Sequence, residues 1–434
     1  MAGLAAAQHL ADLGHRVLIL EAKNRVGGRI HTLKTRDGYP IEMGAYTLKN
    51  PGTHENPNPL LPLLEQVGLT TMPIEPINST QFNAGDYFED ATRWIQEAKQ
   101  FPWKTWPSLG EILKTHPLKL RNKLKLNSPE FIGRQALHHL IKQQTGSAPH
   151  TVSLLALMHS DQDTTEYQQE ACISGGYQNL PEDMAKKLVA TGNVKILLNT
   201  PIATVHYLPK NDTSHVVAVD GTKYTAKRIL CTVPLGILKK QSIHFVPELS
   251  LGKQQLIKNL RVGFQNKVIL EFEKVFWEKD AHFLFPSSKD YHHFPEYFNL
   301  FHFSNHKTPA LACHFYASDA CFKEHSDDHM IEKALLPLRH AYGKMTATLK
   351  DAFVTHWDSD PYALGSTSCY GINNEVDELR KFAEPEPSGL FFAGAHTLNN
   401  QNRETVQGAY ISGVRAALDI NHNLKSTFKP KRKH

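Results

Sequence analysis

Two glycines set between arginines, in Arg25-Val-Gly-Gly-Arg-Ile-His-Thr32, are the densest piece of chemistry in this chain of 434 residues. Gly27 and Gly28 let backbone amides approach a diphosphate, and Arg29 adds a guanidinium that can grip two of its oxygens. An ordinary basic turn is the plain alternative, and the residues just upstream argue against it. Leu4, Ala7, Leu10 and Leu13 recur at near-helical spacing up to Gly14, and Arg16-Val-Leu-Ile-Leu-Glu21 is an apolar run that ends in an acid. This predicts a helix and then a buried parallel strand with a carboxylate at its C-terminal end. Helix, strand and acid in that order are the later part of a dinucleotide-binding unit, whose GxGxxG turn meets the pyrophosphate and whose acid hydrogen-bonds the ribose. Gly3 stands at the third glycine of that turn and Glu21 at the acid. The first strand and most of the phosphate loop are missing from the motif.

A second candidate is Lys267, which opens the apolar run Lys267-Val-Ile-Leu-Glu-Phe-Glu273. An unpaired lysine is costly to bury there, unless it snorkels to solvent as an ordinary strand-end lysine. The elements around these residues are those of a globular protein of two or three domains, with 41% hydrophobic and 21% charged residues. The longest apolar runs, around Arg16–Ala22 and Leu390–Ala395, are strand-length, so no membrane span is expected. The net charge is +5, and Lys429-Pro-Lys-Arg-Lys433 supplies four of its cations, which leaves little electrostatic support for nucleic-acid binding. Cys172, Cys231, Cys313, Cys321 and Cys369 lie far apart without a CxxC, and no signal peptide precedes the first helix, so a reducing, cytoplasmic setting is expected. His138-His139 and His292-His293 are adjacent pairs without HExxH spacing, so no metal site is expected.

Taken together, blocks spread along the chain resemble the flavin-containing amine oxidases, the family of monoamine oxidase, polyamine oxidase and the lysine-specific histone demethylases. They are residues 1–32, Asp37-Gly-Tyr39 through Glu42-Met-Gly-Ala45, Ile173-Ser-Gly-Gly-Tyr-Gln-Asn-Leu180, Thr232-Val-Pro-Leu-Gly-Ile-Leu238, Asn266–Trp277, Leu390-Phe-Phe-Ala-Gly394 and Thr405-Val-Gln-Gly-Ala-Tyr-Ile-Ser-Gly413. The polyamine oxidase-like branch is the nearest. The resemblance implies an α/β (α+β) fold, a Rossmann-like FAD-binding domain interleaved with a substrate domain of mixed sheet and helices. Its segments fall at 1–50, 170–265 and 384–422 for FAD and at 51–169 (helical) and 266–383 (sheet) for substrate, with 423–434 a basic tail. In the helical segment, Glu111–Leu126, with a break at Pro117, and Pro129–Thr145 have helical composition, while Lys267–Glu273 and Ala310–Tyr316 are β-rich. The Pro-rich runs Asn50–Pro62 and Glu384–Pro387 read as domain crossings.

The resemblance further implies FAD contacts at Gly3, Glu21, Gly27, Gly28, Arg29, Ala45, Ile202, Gly394, Ala395, Thr405 and Val406. Lys267 would hold a water against the flavin N5, with Trp357 and Thr367 beside the reacting amine. The implied reaction oxidises a small amine to an imine, which hydrolyses, while O2 is reduced to hydrogen peroxide. Departures qualify the branch. Thr367 and Thr405 stand where cage tyrosines are expected, Ala395 replaces the acid of FAGE, and Thr47-Leu-Lys-Asn50 replaces Trp-Ile-His-Gly. Lys49 then puts a cation near the active-site mouth, which Asp161, Asp163, Glu166 and Glu170 could offset. Three readings stay open: a polyamine oxidase-like enzyme, a protein-lysine demethylase-like oxidase suggested by Ala395-His-Thr397, and a flavin-free scaffold. The residues name no protein partner.

Overall fold

The computed structural model describes residues 1–49, 57–75, 84–100, 107–115, 137, 140–158, 170–207, 213–286, 296–316, 326–343, 346–375, 378–387, 389–398 and 402–427. The opening residues fold as their periodicity predicts. The helix Ala2–Asp12 buries Leu4, Ala7 and Leu10 and is followed by the strand Val17–Leu20. Gly14 takes a positive φ of 84°, the left-handed conformation that ends a helix cheaply.

Parallel pairing joins stretches far apart in sequence. Val17–Leu20 runs beside Val194–Leu197, and Ile229–Cys231 runs beside Leu390–Phe392. Both pairs lie against one helical layer, in which Ala6, Leu10, Ala417 and Ile420 share an apolar cluster with Phe391 and touch Val17 and Leu230. The long helix Val406–Thr427 packs so closely on the first helix that a Cβ at Gly413 would come within 2.2 Å of the Ala2 carbonyl oxygen. Glycine is required there for the contact.

The other large unit is a five-stranded antiparallel sheet in the order Phe283–Leu284, Tyr297–Asn299, Ala310–Tyr316, Gln265–Phe272, Leu349–Val354. Its longest strand, Gln265–Phe272, is buried along nearly its whole length because neighbours cover both edges and the helix Asp327–Tyr342 packs on one face. The stretch that leads into Gly44 lies against the opposite face, where Ile41 and Met43 share a cluster with Ile269 and Phe298. The strand Thr47–Lys49 pairs with Glu170–Ser174, which also pairs with Thr70–Ile74.

In the segment read as helical, Leu109–Thr115 is a helix, and 140–145 is helical. The remainder of Glu111–Leu126 and most of Pro129–Thr145 lie outside the described residues, as do Asp161, Asp163, Glu166, Cys321, both adjacent histidine pairs and the tail from 428. The stretch Glu384–Pro387, read as a crossing, is pinned in place: Glu386 is buried, bridges to Leu390 and accepts from Ser250 Oγ at 3.0 Å. The four described cysteines are free and buried. Among the described residues no helix is long and apolar enough to cross a membrane.

Candidate active site

Three successive backbone carbonyls, those of Glu42, Met43 and Gly44, are each held by a side chain from the C-terminal half of the chain. The Lys267 ammonium donates to Glu42 O at 3.0 Å and Gly44 O at 2.5 Å. The Trp357 indole N–H donates to Met43 O at 3.0 Å. Lys267 is buried in the strand Gln265–Phe272, and its backbone N–H donates to Thr355 Oγ1 at 2.7 Å. Its Nζ lies 4.2 Å from the centroid of the Tyr46 ring, a cation–π contact that partly replaces lost hydration. An ammonium has three donors, so two go to the main chain and one direction stays available.

Glu42 lies beside this turn with its carboxylate turned inward. It accepts from the Tyr177 N–H at 2.8 Å and from the Thr32 hydroxyl at 2.7 Å. Burial pushes Glu42 up from the ordinary carboxylate value, against the lowering effect of those donors and of Lys267. Burial likewise pushes Lys267 down, while the charge of Glu42 opposes the shift. Both groups are therefore driven toward their neutral forms by loss of water.

The arginine-flanked turn is zipped to the same element. Ala45 N donates to Arg29 O at 3.1 Å and Met43 N to His31 O at 2.8 Å. A Cβ at Gly44 would sit 1.8 Å from Arg29 O, so the two turns meet only because residue 44 is glycine. Gly27 and Gly28 have φ of 104° and 62°, and a Cβ on Gly28 would meet nothing within 4 Å. Arg25 closes the turn from behind, donating to Gly28 O and Ile30 O, each at 2.9 Å.

Arg29 reaches the other way. Its Nη1 donates to Glu404 Oε2 at 3.0 Å and to Ser366 O at 2.5 Å. Glu404 also accepts from the Ser368 hydroxyl, and its backbone N–H donates to Ala395 O at 3.2 Å. Burial pushes Glu404 up, but Arg29, His396, Ser368 and Arg403 outweigh burial and hold it below the ordinary carboxylate value. A cleft between these groups is lined by Arg29, Gly236, Thr367, Ser368, His396 and Glu404.

The expected site residues divide into those this arrangement brings together and those it leaves apart. Lys267, Trp357, Arg29, Ala45, Thr367, Ala395 and Thr405 form one connected neighbourhood. Thr367 lies in a strand paired with Arg261–Gly263, its methyl against Gly146 and Gly263. Gly394 has a φ of 141° and donates its N–H to Ser412 Oγ at 2.9 Å. Thr405 Oγ1 accepts from Gly408 N at 2.9 Å and so caps the helix that begins at Val406. Glu21 lies at the end of its strand, where a carboxylate oxygen accepts from Lys23 N at 2.9 Å. Gly3 is an ordinary helical position, with Thr232 Oγ1 3.5 Å from a would-be Cβ. Ile202 opens a strand in a separate four-stranded sheet. Lys49 pairs with Glu170 at 3.4 Å, the one described member of the acid group proposed to offset it.

Glu404 and Glu42 were not among the expected site residues. Glu42 sits in the Glu-Met-Gly-Ala block itself, and an acid inside an otherwise apolar β-turn is a usable signal of a paired buried carboxylate. Glu404 carries no such signal, since an acid just before a helix is commonplace at its positive end.

Comparison with known proteins decides the family. A family model described as flavin containing amine oxidoreductase matches residues 1–421. The chain belongs to that family. Relatives include lysine-specific histone demethylase 1 homolog 2 of Arabidopsis thaliana, 30% identical over 97% of this chain and 57% of its own length. Polyamine oxidase 5 of Oryza sativa subsp. japonica is 28% identical over 98% of this chain and 87% of its own length. The chain thus spans little more than half of the demethylase homologue. Among solved structures, putrescine oxidase bound to putrescine superposes with a TM-score of 0.73 at 20% identity, covering 97% of both chains. This likeness supports the fold, the mixed helices and sheets of the amine oxidase architecture.

Membership implies FAD, and residues of this chain fit it. His396 Nδ1 and Gln407 Oε1 are buried without a hydrogen-bond partner, and in the Gly27–Gly28 turn a Cβ at Gly28 would meet nothing within 4 Å, whereas one at Gly27 would meet Ile30 O and Pro181 at 3.1 Å. Unsatisfied buried polar atoms of this kind call for a polar group to answer them.

Proposed function

We propose that the protein is an FAD-dependent oxidase of small amines, nearest to the polyamine oxidases. The observation that carries this reading is the capture of the Glu42–Gly44 carbonyls by Lys267 and Trp357 directly beside the Arg29 turn. Glu21, Gly27, Gly28 and Arg29 would hold the adenosine diphosphate end of the cofactor. Ala45, Gly394, Ala395, Thr405 and Val406, together with Ile202 and with Gly3 on the first helix, would meet the remainder. When bound, FAD supplies two-electron oxidation of the amine and reduction of O2 to hydrogen peroxide.

This chain's own residues do the positioning. Lys267 uses its remaining donor direction to hold a water, which serves hydrolysis of the imine to aldehyde and ammonia or a shorter amine. Its depressed pKa, caused by burial, lets it give and recover a proton more readily than an exposed lysine does. Trp357 fixes the turn that carries this chemistry and presents an apolar wall, while Thr367 lines the cleft. The amine must arrive neutral at its reacting nitrogen, and the pairing of Lys49 with Glu170 lessens the repulsion of a second cationic nitrogen.

A second reading, oxidation of a methylated lysine in a peptide, is favoured by the demethylase homologues among the relatives. One experiment separates all three readings. Purified chain is scanned for flavin absorbance and assayed for peroxide release with diamines, polyamines and N-methyl-lysine peptides. Turnover of polyamines supports the proposal, turnover of peptides alone supports the second reading, and no flavin binding at saturating FAD sinks both in favour of a scaffold.

A further inference from the structure

Away from the cleft, on the outer part of the five-stranded sheet, His302 and His306 stand four residues apart, the spacing at which two imidazoles can share one ligand. His302 lies in the short helical turn Leu300–Phe303. Beyond it Asn305 and His306 take φ of 53° and 60°, which folds the chain back and brings His306 Nε2 within 3.3 Å of Asp280 Oδ1. One ligand atom from each of Asp280, His302 and His306 lies within 4.8 Å of the other two.

The juxtaposition is built by a buried side chain. Asn299 is fully buried and caps the turn that carries His302. Its Nδ2 also donates to the carbonyls of Glu278, Lys279 and Ala281 at 3.2, 3.0 and 2.7 Å, while its Oδ1 accepts from Trp277 Nε1 at 2.9 Å. The loop that bears Asp280 is therefore wrapped around the residue that starts the histidine turn. His302 Nδ1 is buried without a hydrogen-bond partner. The neighbouring His282 ring lies 4.5 Å from that of His302, and its Nδ1 accepts from Glu75 N at 2.8 Å, which fixes its orientation.

We propose that Asp280, His302 and His306 bind a single divalent transition-metal cation. Two imidazoles and a carboxylate suit zinc, nickel or copper rather than magnesium or calcium, and three protein ligands leave a position for water. Zinc–ligand bonds of about 2.0–2.1 Å require the ligand atoms to draw in from their present separations, which rotation of the exposed Asp280 and His306 side chains accomplishes. The site is distinct from the amine-oxidising groups. His302 packs on Phe303 (4.9 Å), which stacks on Phe298 (4.5 Å), which meets Tyr46 (5.1 Å) beneath Lys267.

The test is titration of the chelator-treated full chain with Zn2+ by calorimetry and with Co2+ by visible absorption. One equivalent should bind with a Co2+ spectrum of low coordination number, in the presence of excess Mg2+. Asp280→Asn and His306→Ala should each weaken binding by about tenfold or more. Asp280 is largely exposed, so its isosteric change leaves the fold intact. His215→Ala, at the separate stacked pair His206–His215, should change nothing. Failure to find one-to-one binding overturns the proposal, as does binding that Asp280→Asn and His306→Ala leave unaltered or that His215→Ala removes.

Discussion

Arg29–Glu404, half-buried, and Lys267–Glu42, buried, each set a cation near a carboxylate, yet they are arranged differently. In the first, guanidinium and carboxylate touch at 3.0 Å and a serine hydroxyl completes the carboxylate, so Glu404 stays ionised despite burial. In the second, the ammonium takes the Glu42 main-chain carbonyl, while the Glu42 carboxylate is satisfied by Tyr177 and Thr32. Burial then pushes both groups toward neutrality. Direct contact holds a carboxylate ionised; buried charges that are not paired with each other are pushed by desolvation toward their neutral forms.

Breaking the Arg29–Glu404 contact should have the largest effect. Arg29→Ala leaves Glu404 without its cation, at an expected cost of about 2–3 kcal/mol, below the full-burial figure because the two side chains keep 26% and 12% exposure. Urea denaturation at neutral pH measures it, and a loss under about 0.5 kcal/mol would show that Ser368 and Arg403 suffice. A comparable effect should come from acid through His396, whose pKa burial lowers from 6.5 to about 4. Between those values the unfolded chain takes up a proton that the folded chain refuses, so stability is lost as pH falls from 6.5 toward 4, by up to about 3 kcal/mol. Denaturation midpoints at pH 7 and pH 5 should differ in the parent chain and less in His396→Leu. Equal differences would assign the acid sensitivity elsewhere.

Lys267→Met tests the second pair. Removing the ammonium frees two carbonyls but also removes a poorly hydrated charge, so stability should move by only about 1 kcal/mol. Turnover of any amine found by the peroxide screen should fall about tenfold or more, in flavin reoxidation or product formation rather than in binding. Stopped-flow with and without oxygen separates the half-reactions; unchanged rates in both would return Lys267 to a structural role. The smallest effect should come from the mouth. Lys49→Ala breaks a pair whose side chains are 43% and 36% exposed, so stability should change by less than about 0.5 kcal/mol. The KM of a polycationic substrate should nevertheless drop, most clearly at low salt. A KM that ignores both the substitution and the salt would place Lys49 away from the substrate path.

Periodicity alone sufficed for the local elements. The helix Ala2–Asp12, the strand Val17–Leu20 and the β-rich runs around Lys267 and Ala310 follow from apolar spacing, because burial of one face is decided by neighbours within a few residues. The helix Leu109–Thr115 overlaps the start of the stretch read as helical, and the expected break at Pro117 lies outside the described residues. Motif order led to the expectation that three stretches of chain belong together, and parallel pairs do join residue 17 to 194 and 229 to 390. The candidate site residues that residue type alone singled out, Gly27, Gly28, Arg29 and Lys267, are proposals to which the structure adds the partners of the Arg29 and Lys267 side chains.

What each of these residues touches was not readable. Arg29 could be read as a free guanidinium, but its partner is 375 positions away, and no local pattern encodes which acid a cation will meet. Nor does spacing reveal that Lys267 would take the carbonyls of Glu42 and Gly44, since that depends on how its strand faces a turn more than two hundred residues earlier. The sequence by itself determined which residue types were present, where helices and strands begin, and the family that their blocks spell out, because those depend on short-range periodicity and on motif order. Only the tertiary structure decided which charges are paired, which are merely crowded, and how far burial moves them, because desolvation and Coulomb energy depend on distances that the chain sets only once it has folded.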